Sequence, residues 1–260
     1  MPHTAGVALV TGASGGIGFE LARLFAEDGH DVVMAADDDG IHAAADKLAA
    51  TGTQVRAVQV DLRKPEDVER LYWSATAGGE LVAAALNAGT GRGGPFTEGD
   101  LESDFNVIDL NVRSTVHLSK LVLRGMAARG SGKVLYTSSI VSQMHGSLQS
   151  TYNASKSFVQ SFAEALHDEL RDTGVTVTSL MPGPTDTNFF ARVGMADTVV
   201  ARGPKDDPAK VAKQGYDAMM RGDRKVVASS PLSKAMGLAN RFLPDSAKAV
   251  ANRLISQPLR

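Results

Sequence analysis

Seven short runs recur along the chain, most of them apolar, β-branched and unbroken: Val7–Val10, Asp31–Ala35, Val55–Val60, Leu81–Leu86, Lys133–Thr137, Val175–Leu180 and a weaker Lys225–Ala228. No other feature narrows the fold so far. A strand with one wetted face alternates apolar and polar residues, whereas unbroken apolar strands belong to a parallel sheet covered on both sides. The segments between them carry helical spacing. Ile17, Leu21, Leu24 and Phe25 would share one face, as would Val68 and Leu71, then Val112, Val116, Leu118 and Val122, then Phe158, Phe162, Ala165 and Leu166. Pro65 suits the first turn of its helix, with Glu66 and Asp67 complementing the positive end. This alternation predicts a doubly wound α/β fold with right-handed crossovers, about seven strands flanked by helices on both faces. One domain over 1–260 accommodates it.

Composition removes several classes of function. The chain has no cysteine, which excludes disulfides, thiolate nucleophiles and Cys-based zinc sites. A net charge of −2 offers no broad basic face to nucleic acid. With 22% charged and 43% hydrophobic residues, the balance is that of a soluble globular protein. The start, MPHTAGVALVTG, lacks a charged region followed by an apolar one, and no apolar run approaches the ~20 residues that span a bilayer. A cytoplasmic location without membrane attachment is expected. The six histidines (3, 30, 42, 117, 145 and 167) form no H-x-x-x-H pair, so no metal is expected.

The first run leads directly into Thr11–Gly18, TGASGGIG. A strand, a glycine-rich turn and a helix start make a phosphate cradle. Glycine permits positive φ and close backbone approach to a pyrophosphate, and the free N–H groups of the helix start hold the anion. Gly12, Gly16 and Gly18 are spaced T-G-x-x-x-G-x-G rather than G-x-G-x-x-G, with Ser14, Gly15 and Ile17 completing the turn.

With further motifs in order, the sequence resembles the short-chain dehydrogenase/reductase family in its compact, Rossmann-type single-domain branch. The motifs are that turn, Asp61 after the third strand, Asn87-Ala88-Gly89 after the fourth, Asn111 in the next helix, Ser139, Tyr152 with Lys156, and Pro182-Gly183 leading through Thr185 to Thr187. The match runs from Val7 to about Thr187. Leu86 stands where the family more often has a first Asn. The resemblance implies that Asp61 and the following Leu62 lie at the adenine, although Asp61 could equally cap a helix. It implies that Asn87, Ala88, Gly89, Pro182, Gly183 and Thr185 line the cofactor, and that Thr187 bonds the nicotinamide carboxamide. After the second strand the chain reads Met34-Ala35-Ala36-Asp37-Asp38-Asp39. Asp37 stands one place later than the family's usual NAD-type acid, yet three acidic residues make a poor site for a 2′-phosphate. NAD is favoured, with NADP the alternative.

Tyr152 and Lys156 are four apart at a helix start and so share a face. An ammonium near a phenol favours phenolate, and Tyr152 could then exchange a proton near neutral pH, which an unassisted phenol of pKa about 10 does poorly. Ser139 ends the fifth strand, at the carboxyl edge where such sheets bind ligands, and its hydroxyl could hold a substrate oxygen. Ser138 is its near competitor. By the resemblance Asn111 kinks its helix and holds a water on Lys156. Met144, His145, Phe189 and Phe190 could wall the substrate or simply pack.

The expected activity is NAD(P)-dependent interconversion of a secondary alcohol and a ketone. A non-catalytic dinucleotide-binding regulator and an epimerase or dehydratase on the same scaffold are the rivals. Residues 183–207, rich in Gly, Pro, Asp and Thr, read as a substrate lid whose apolar residues hint at a hydrophobic substrate. Residues 232–256 read as a C-terminal helical extension. The resemblance further implies that long helices at 101–129 and 151–173 pair across a two-fold axis, giving a homodimer or homotetramer.

Overall fold

All seven expected strands pair into one parallel sheet. They are β1 (Val7–Thr11), β2 (Asp31–Ala36), β3 (Val55–Gln59), β4 (Leu81–Leu86), β5 (Gly132–Thr137), β6 (Val175–Pro182) and β7 (Lys225–Ala228), in the spatial order β3-β2-β1-β4-β5-β6-β7. The computed structural model describes residues 5–228 together with 253, 254 and 256. The strand alternation explains why both faces are apolar. Ala8 and Val10 of β1 enter one hydrophobic cluster with Leu21, Phe25, Ile41 and Met219, while Val7 and Leu9 enter a second with Leu71, Leu118, Val122 and Val159.

The first cluster is covered by α1 (Gly16–Glu27), α2 (Gly40–Leu48) and, further along the chain, the helix Pro208–Arg221. The second is covered by α3 (Pro65–Thr76), the run 101–129 and the helix Ser150–Glu169. Pro65 does open α3, as its fixed φ suits. The run 101–129 is α4 (Leu101–Ile108), one π-helical turn at Asp109–Arg113, and α5 (Ser114–Arg129). Next comes α6 (Ser150–Glu169), shorter at its C-terminal end than expected.

The expected apolar face of α6 is only partly its buried face: Phe162 and Leu166 pack against the second cluster. Phe158 and Ala165 are exposed, and the helix buries Asn153, Ser155, Lys156, Val159, Gln160 and Ala163 instead. Val116 on α5 is exposed as well. The physical reason is that α6 packs a hydrogen-bonded polar stripe against the sheet; Gln160, for example, accepts from Ser179 at 2.6 Å.

The segment 183–207 carries more structure than its composition suggests. It holds the short turns α7 (Phe189–Arg192) and α8 (Val199–Arg202), and Thr185 bridges to Asp206. Thr198 caps α8 by accepting from Ala201 N at 3.3 Å. Beyond it runs α9 (Pro208–Arg221), with Asp207 capping its start. The C-terminal extension expected over 232–256 lies outside the described residues except for 253, 254 and 256; Ser256 is buried and accepts from Gln149 Nε2 at 2.6 Å. Among the described residues no helix is long and apolar enough to cross a membrane.

Candidate active site

The strand order reverses between β1 and β4, and the carboxyl ends of the strands frame a crevice there. Gly12 and Gly16 adopt φ of +64° and +57°, the left-handed region that glycine enters without strain. Gly18 is fixed by contact rather than by φ: a Cβ there would lie 2.1 Å from the Gly12 carbonyl oxygen. Gly15 caps α1 with no side-chain hydrogen bond, so the first N–H groups of that helix face the crevice without a side-chain partner. A cradle this shallow, with open space where a Gly15 side chain would stand, fits a dinucleotide pyrophosphate. Ala13 N–H is already used by the Ala35 carbonyl, and Ser14 Oγ donates to Asp38 Oδ2 at 2.7 Å.

Backbone overlap at Gly18 involves atoms that cannot swing away. Gly18→Ala is expected to destabilise the fold by about 3 kcal/mol, read from the urea midpoint, whereas Gly15→Ala, where nothing lies within 4 Å, leaves the midpoint near wild type. Equal midpoints for the two variants would remove the packing argument.

Asn87 is occupied structurally. Its N–H donates to Thr11 Oγ1 at 2.9 Å, its Nδ2 to the Thr11 and Gly12 carbonyls, and its Oδ1 accepts from Thr137 Oγ1 at 3.0 Å. It therefore ties the ends of β1, β4 and β5 together and props the glycine turn from beneath. Ala88 N–H also goes to Thr11 Oγ1. Gly89 faces the site, since a Cβ there would lie 3.2 Å from both Asn111 Oδ1 and Lys156 Nζ.

Asp37 is the first residue past β2. Asp61 does not cap α3, whose cap position is Lys64. Its carboxylate instead takes Arg63 Nε at 2.7 Å and Nη2 at 3.0 Å, and that bond to Arg63 holds it below its ordinary pKa. Arg63 also comes within 3.8 Å of Asp37. Leu62 is buried in the second core cluster, so its side chain packs rather than facing the crevice. Ile17 is half-buried against the first.

Beyond Pro182 and Gly183, Thr185 turns its hydroxyl back onto the Gly183 carbonyl at 2.9 Å and is buried. Thr187 lies over the glycine turn: a Cβ at Gly16 would meet its methyl group at 2.8 Å.

Ser139, Tyr152, Lys156 and Asn111 converge from β5, α6 and the π-turn. Ser138 drops out of the competition, because its hydroxyl is buried and donates to the Lys156 carbonyl at 3.1 Å. Ser139 opens a short helical turn, where its hydroxyl accepts from Val141 N at 3.3 Å and reaches the Pro182 carbonyl at 3.5 Å, and it lies near enough to the Tyr152 phenol to favour its ionisation. Lys156 is buried and donates to the Thr137 carbonyl at 2.8 Å. Asn111 donates to the Thr90 carbonyl at 2.8 Å and to Ser155 Oγ at 2.9 Å, and accepts from Thr90 N at 2.9 Å.

The electrostatics differ from the sequence expectation. Burial pushes the Tyr152 phenol up to about 12, with the nearby Ser139 hydroxyl pulling the other way. Burial also lowers Lys156 to about 8. The two groups share a face as expected, but desolvation outweighs any help the ammonium gives the phenolate. The phenol is therefore a protonated acid at neutral pH.

The crevice wall is aromatic. The Phe189 ring lies 5.4 Å from the Tyr152 ring, and Phe190 packs edge-on against Phe189. Gly91 and Gly93 were not expected at the site. A Cβ at Gly91 would meet Tyr152 and Phe189 at 3.1 Å, and one at Gly93 would meet Met195 at 2.5 Å. The run TGRGGP after the fourth strand was their available signal. Met144 is half-buried, and His145 is exposed.

A family model described as short chain dehydrogenase matches residues 6–197. The 1-deoxy-11-beta-hydroxypentalenate dehydrogenase of Streptomyces exfoliatus is 38% identical over 185 residues, 69% of this chain and 67% of that protein. A short-chain dehydrogenase from Sphingobium yanoikuyae, solved in complex with NADPH, is 27% identical with a TM-score of 0.79, over 92% of this chain and 96% of that one. A short chain dehydrogenase/reductase from Burkholderia phymatum, solved in complex with NAD, shares the fold at a TM-score of 0.82 and 22% identity, over 100% and 99% of the two chains.

Proposed function

The chain belongs to the short-chain dehydrogenase/reductase family, and on that premise we propose that it is an NAD(P)-dependent oxidoreductase interconverting a secondary alcohol and a ketone. The observation that carries this reading is the convergence of Ser139 and Tyr152 with buried Lys156 at the carboxyl ends of the strands, beside the glycine cradle. The Streptomyces relative lends support, since its name gives it a hydroxylated substrate.

When bound, the nicotinamide would supply the hydride chemistry. Gly12, Gly16 and Gly18, with the start of α1, would hold the pyrophosphate, and Lys156 the adjoining ribose. Ser139 and Tyr152 would grip the substrate oxygen between their hydroxyls, and Tyr152 would donate its proton as negative charge grows there. Starting protonated, it needs no prior activation for reduction. For oxidation it must first be made a base, and the cationic ring of an oxidised nicotinamide beside Lys156 is what would lower its pKa. Asn111, buried next to Gly89, would relay the replacement proton through a water near Lys156.

NAD is the favoured cofactor. Asp37 and Asp38 stand at the ribose end, and the nearby guanidinium of Arg63 is already held bidentately by Asp61. A 2′-phosphate would face carboxylates, with the nearest guanidinium already engaged. The substrate would be apolar, seated against Phe189 and Met195.

The deciding experiment follows NADH and NADPH absorbance separately across a panel of ketones. Faster oxidation of NADH with an apolar ketone supports the reading. Tight dinucleotide binding without turnover of any ketone would favour a regulator, or an epimerase or dehydratase with no net reduction.

Assembly follows from an uncovered apolar face. Phe105 and Ile108 on α4, Val116 on α5 and Phe158 on α6 are exposed, Phe105 by 46% and Phe158 by 38%. Phe158 stacks on Phe162 at 5.6 Å and so presents a flat ring. Such a stripe across three helices suits a two-fold contact with a second copy. A Phe105→Glu, Phe158→Glu double variant is expected to sediment as a monomer where the wild type sediments as a dimer or tetramer. A monomeric wild type would end this part of the reading.

A further inference from the structure

Two side chains on the α4–π segment reach across to α6, and each lands one residue before a member of the proposed proton-transfer pair. Asn111 reaches Ser155, next to Lys156. Asp104, seven residues earlier, accepts a hydrogen bond from Thr151, next to Tyr152. Each is also tied to the loop that follows β4. Asn111 bonds both the N–H and the carbonyl of Thr90. Asp104 Oδ2 lies 3.4 Å from Arg92 Nη1, and the two side chains are only 7% and 16% exposed. Arg92 is anchored again by donating to the Pro95 carbonyl at 3.1 Å. Its guanidinium also fills the space beside Gly99, where a Cβ would stand 1.3 Å from Nη2.

The first turn of α6 has a particular need for this support. Its cap residue, Gln149, makes no capping hydrogen bond, and its side chain is turned to Ser256. The turn bearing Tyr152 is thus held from outside, by Asp104, and not from its own end. A charge-assisted bond shielded from water holds its geometry better than one on the surface.

We propose that Asp104 is a positioning residue for Tyr152. With Thr151 and Arg92 it forms a buried strut that fixes the first turn of α6 against residues 90–95. The strut thereby sets the gap over the phenol in which substrate is held. Gly91 lies against the Tyr152 and Phe189 rings and Gly93 beneath Met195, so any drift of this loop moves the pocket wall directly. The functional consequence rests on the proposed role of Tyr152; the strut's mechanical role does not.

The test uses Thr151→Val, which removes the hydroxyl at nearly constant shape and leaves the Asp104–Arg92 pair in place. Thr151→Ser is the rescue, and Asp104→Asn keeps an acceptor for Thr151 while removing the charge. Three readouts are taken on the full chain. They are kcat and KM for acetophenone, 2-octanone and cyclohexanone with NADH, NADH affinity by fluorescence, and hydrogen exchange of peptides covering 89–95 and 150–157.

Thr151→Val is expected to lower kcat on the order of 10- to 100-fold, the scale of a displacement near 1 Å. NADH affinity should stay within about twofold, because the cradle residues do not touch the strut. Exchange should speed up in those two peptides and not elsewhere, with Thr151→Ser close to wild type in every readout. Wild-type kcat and wild-type exchange in Thr151→Val would overturn the proposal. Should the wild type bind NADH yet reduce no ketone, the reading of the reaction fails separately and exchange alone decides the strut. Faster exchange confined to the two peptides then supports it, and unchanged exchange refutes it.

Discussion

Tyr152→Phe is expected to cut ketone turnover by about 10³-fold while leaving NADH affinity within about twofold. The substitution deletes one oxygen and keeps the ring. The packing of that ring against Phe189 and the loop at Gly91 therefore survives, and the fold has little reason to shift. What is lost is the proposed proton donor, the hydroxyl nearest Ser139. Because burial holds the phenol up to about 12, reduction by the wild type should not fall through phenol ionisation anywhere in the ordinary assay range. A bimolecular assay at saturating NADH, run from pH 6 to 9, separates these effects. A variant keeping more than about a tenth of wild-type kcat, well inside the span of general-acid contributions, would remove Tyr152 from the chemistry. Weakened NADH binding with kcat intact would make it a cofactor contact instead.

Lys156→Met is expected to separate stability from activity. Turnover should fall by about 10²-fold or more, yet the variant should melt no lower than the wild type at pH 7. Lys156 titrates at 10.5 ordinarily and at about 8 in the folded chain, and it is almost fully buried. Below pH 8 the folded state carries the whole cost of a desolvated ammonium, roughly 3 kcal/mol. Methionine fills similar space without that cost, and forfeits one hydrogen bond to the Thr137 carbonyl worth about 1 kcal/mol. Between pH 8 and 10.5 the unfolded chain holds more protons than the folded one, so wild-type stability rises with pH across that window. The variant's advantage should shrink there. Melting curves of both proteins at pH 7, 8, 9 and 10 check the sign. A destabilised variant at pH 7, or a gap that ignores pH, would mean the ammonium is well solvated in the fold.

The strands were legible almost to the residue because most carry apolar, often β-branched runs suited to a doubly covered sheet. Their ends ran one or two residues long or short where polar residues such as Thr11 continue a ladder. The glycine turn and the order of polar residues at the strand ends were equally readable, since both are local in sequence. The buried face of α6 was not. Hydrophobic period selected Phe158, which is exposed, while the face turned inward mixes Val159 and Ala163 with polar residues such as Gln160, whose partner Ser179 lies 19 residues along the chain. The same holds for Asp104, whose partners Arg92 and Thr151 lie 12 and 47 residues away. Spacing rules see neighbours on one element, and these contacts join three. The rise of the Tyr152 pKa was missed for a related reason: a Tyr and a Lys four apart announce their proximity, but how much water they lose is decided by everything packed around them.

The knot made by Thr11, Asn87 and Thr137 spans 76 residues on one side and 50 on the other. Closing such long loops comes late as a chain folds, because the entropy of closure must be met before the contacts can form. A ligand of the glycine turn is therefore expected to bind the completed molecule better than a half-finished chain, which lacks that prop. At a free concentration a hundredfold above its dissociation constant, such a ligand adds about 2.7 kcal/mol to the resistance against unfolding. The nicotinamide pool around this protein would then govern how long each copy survives proteolysis, as well as how fast it works.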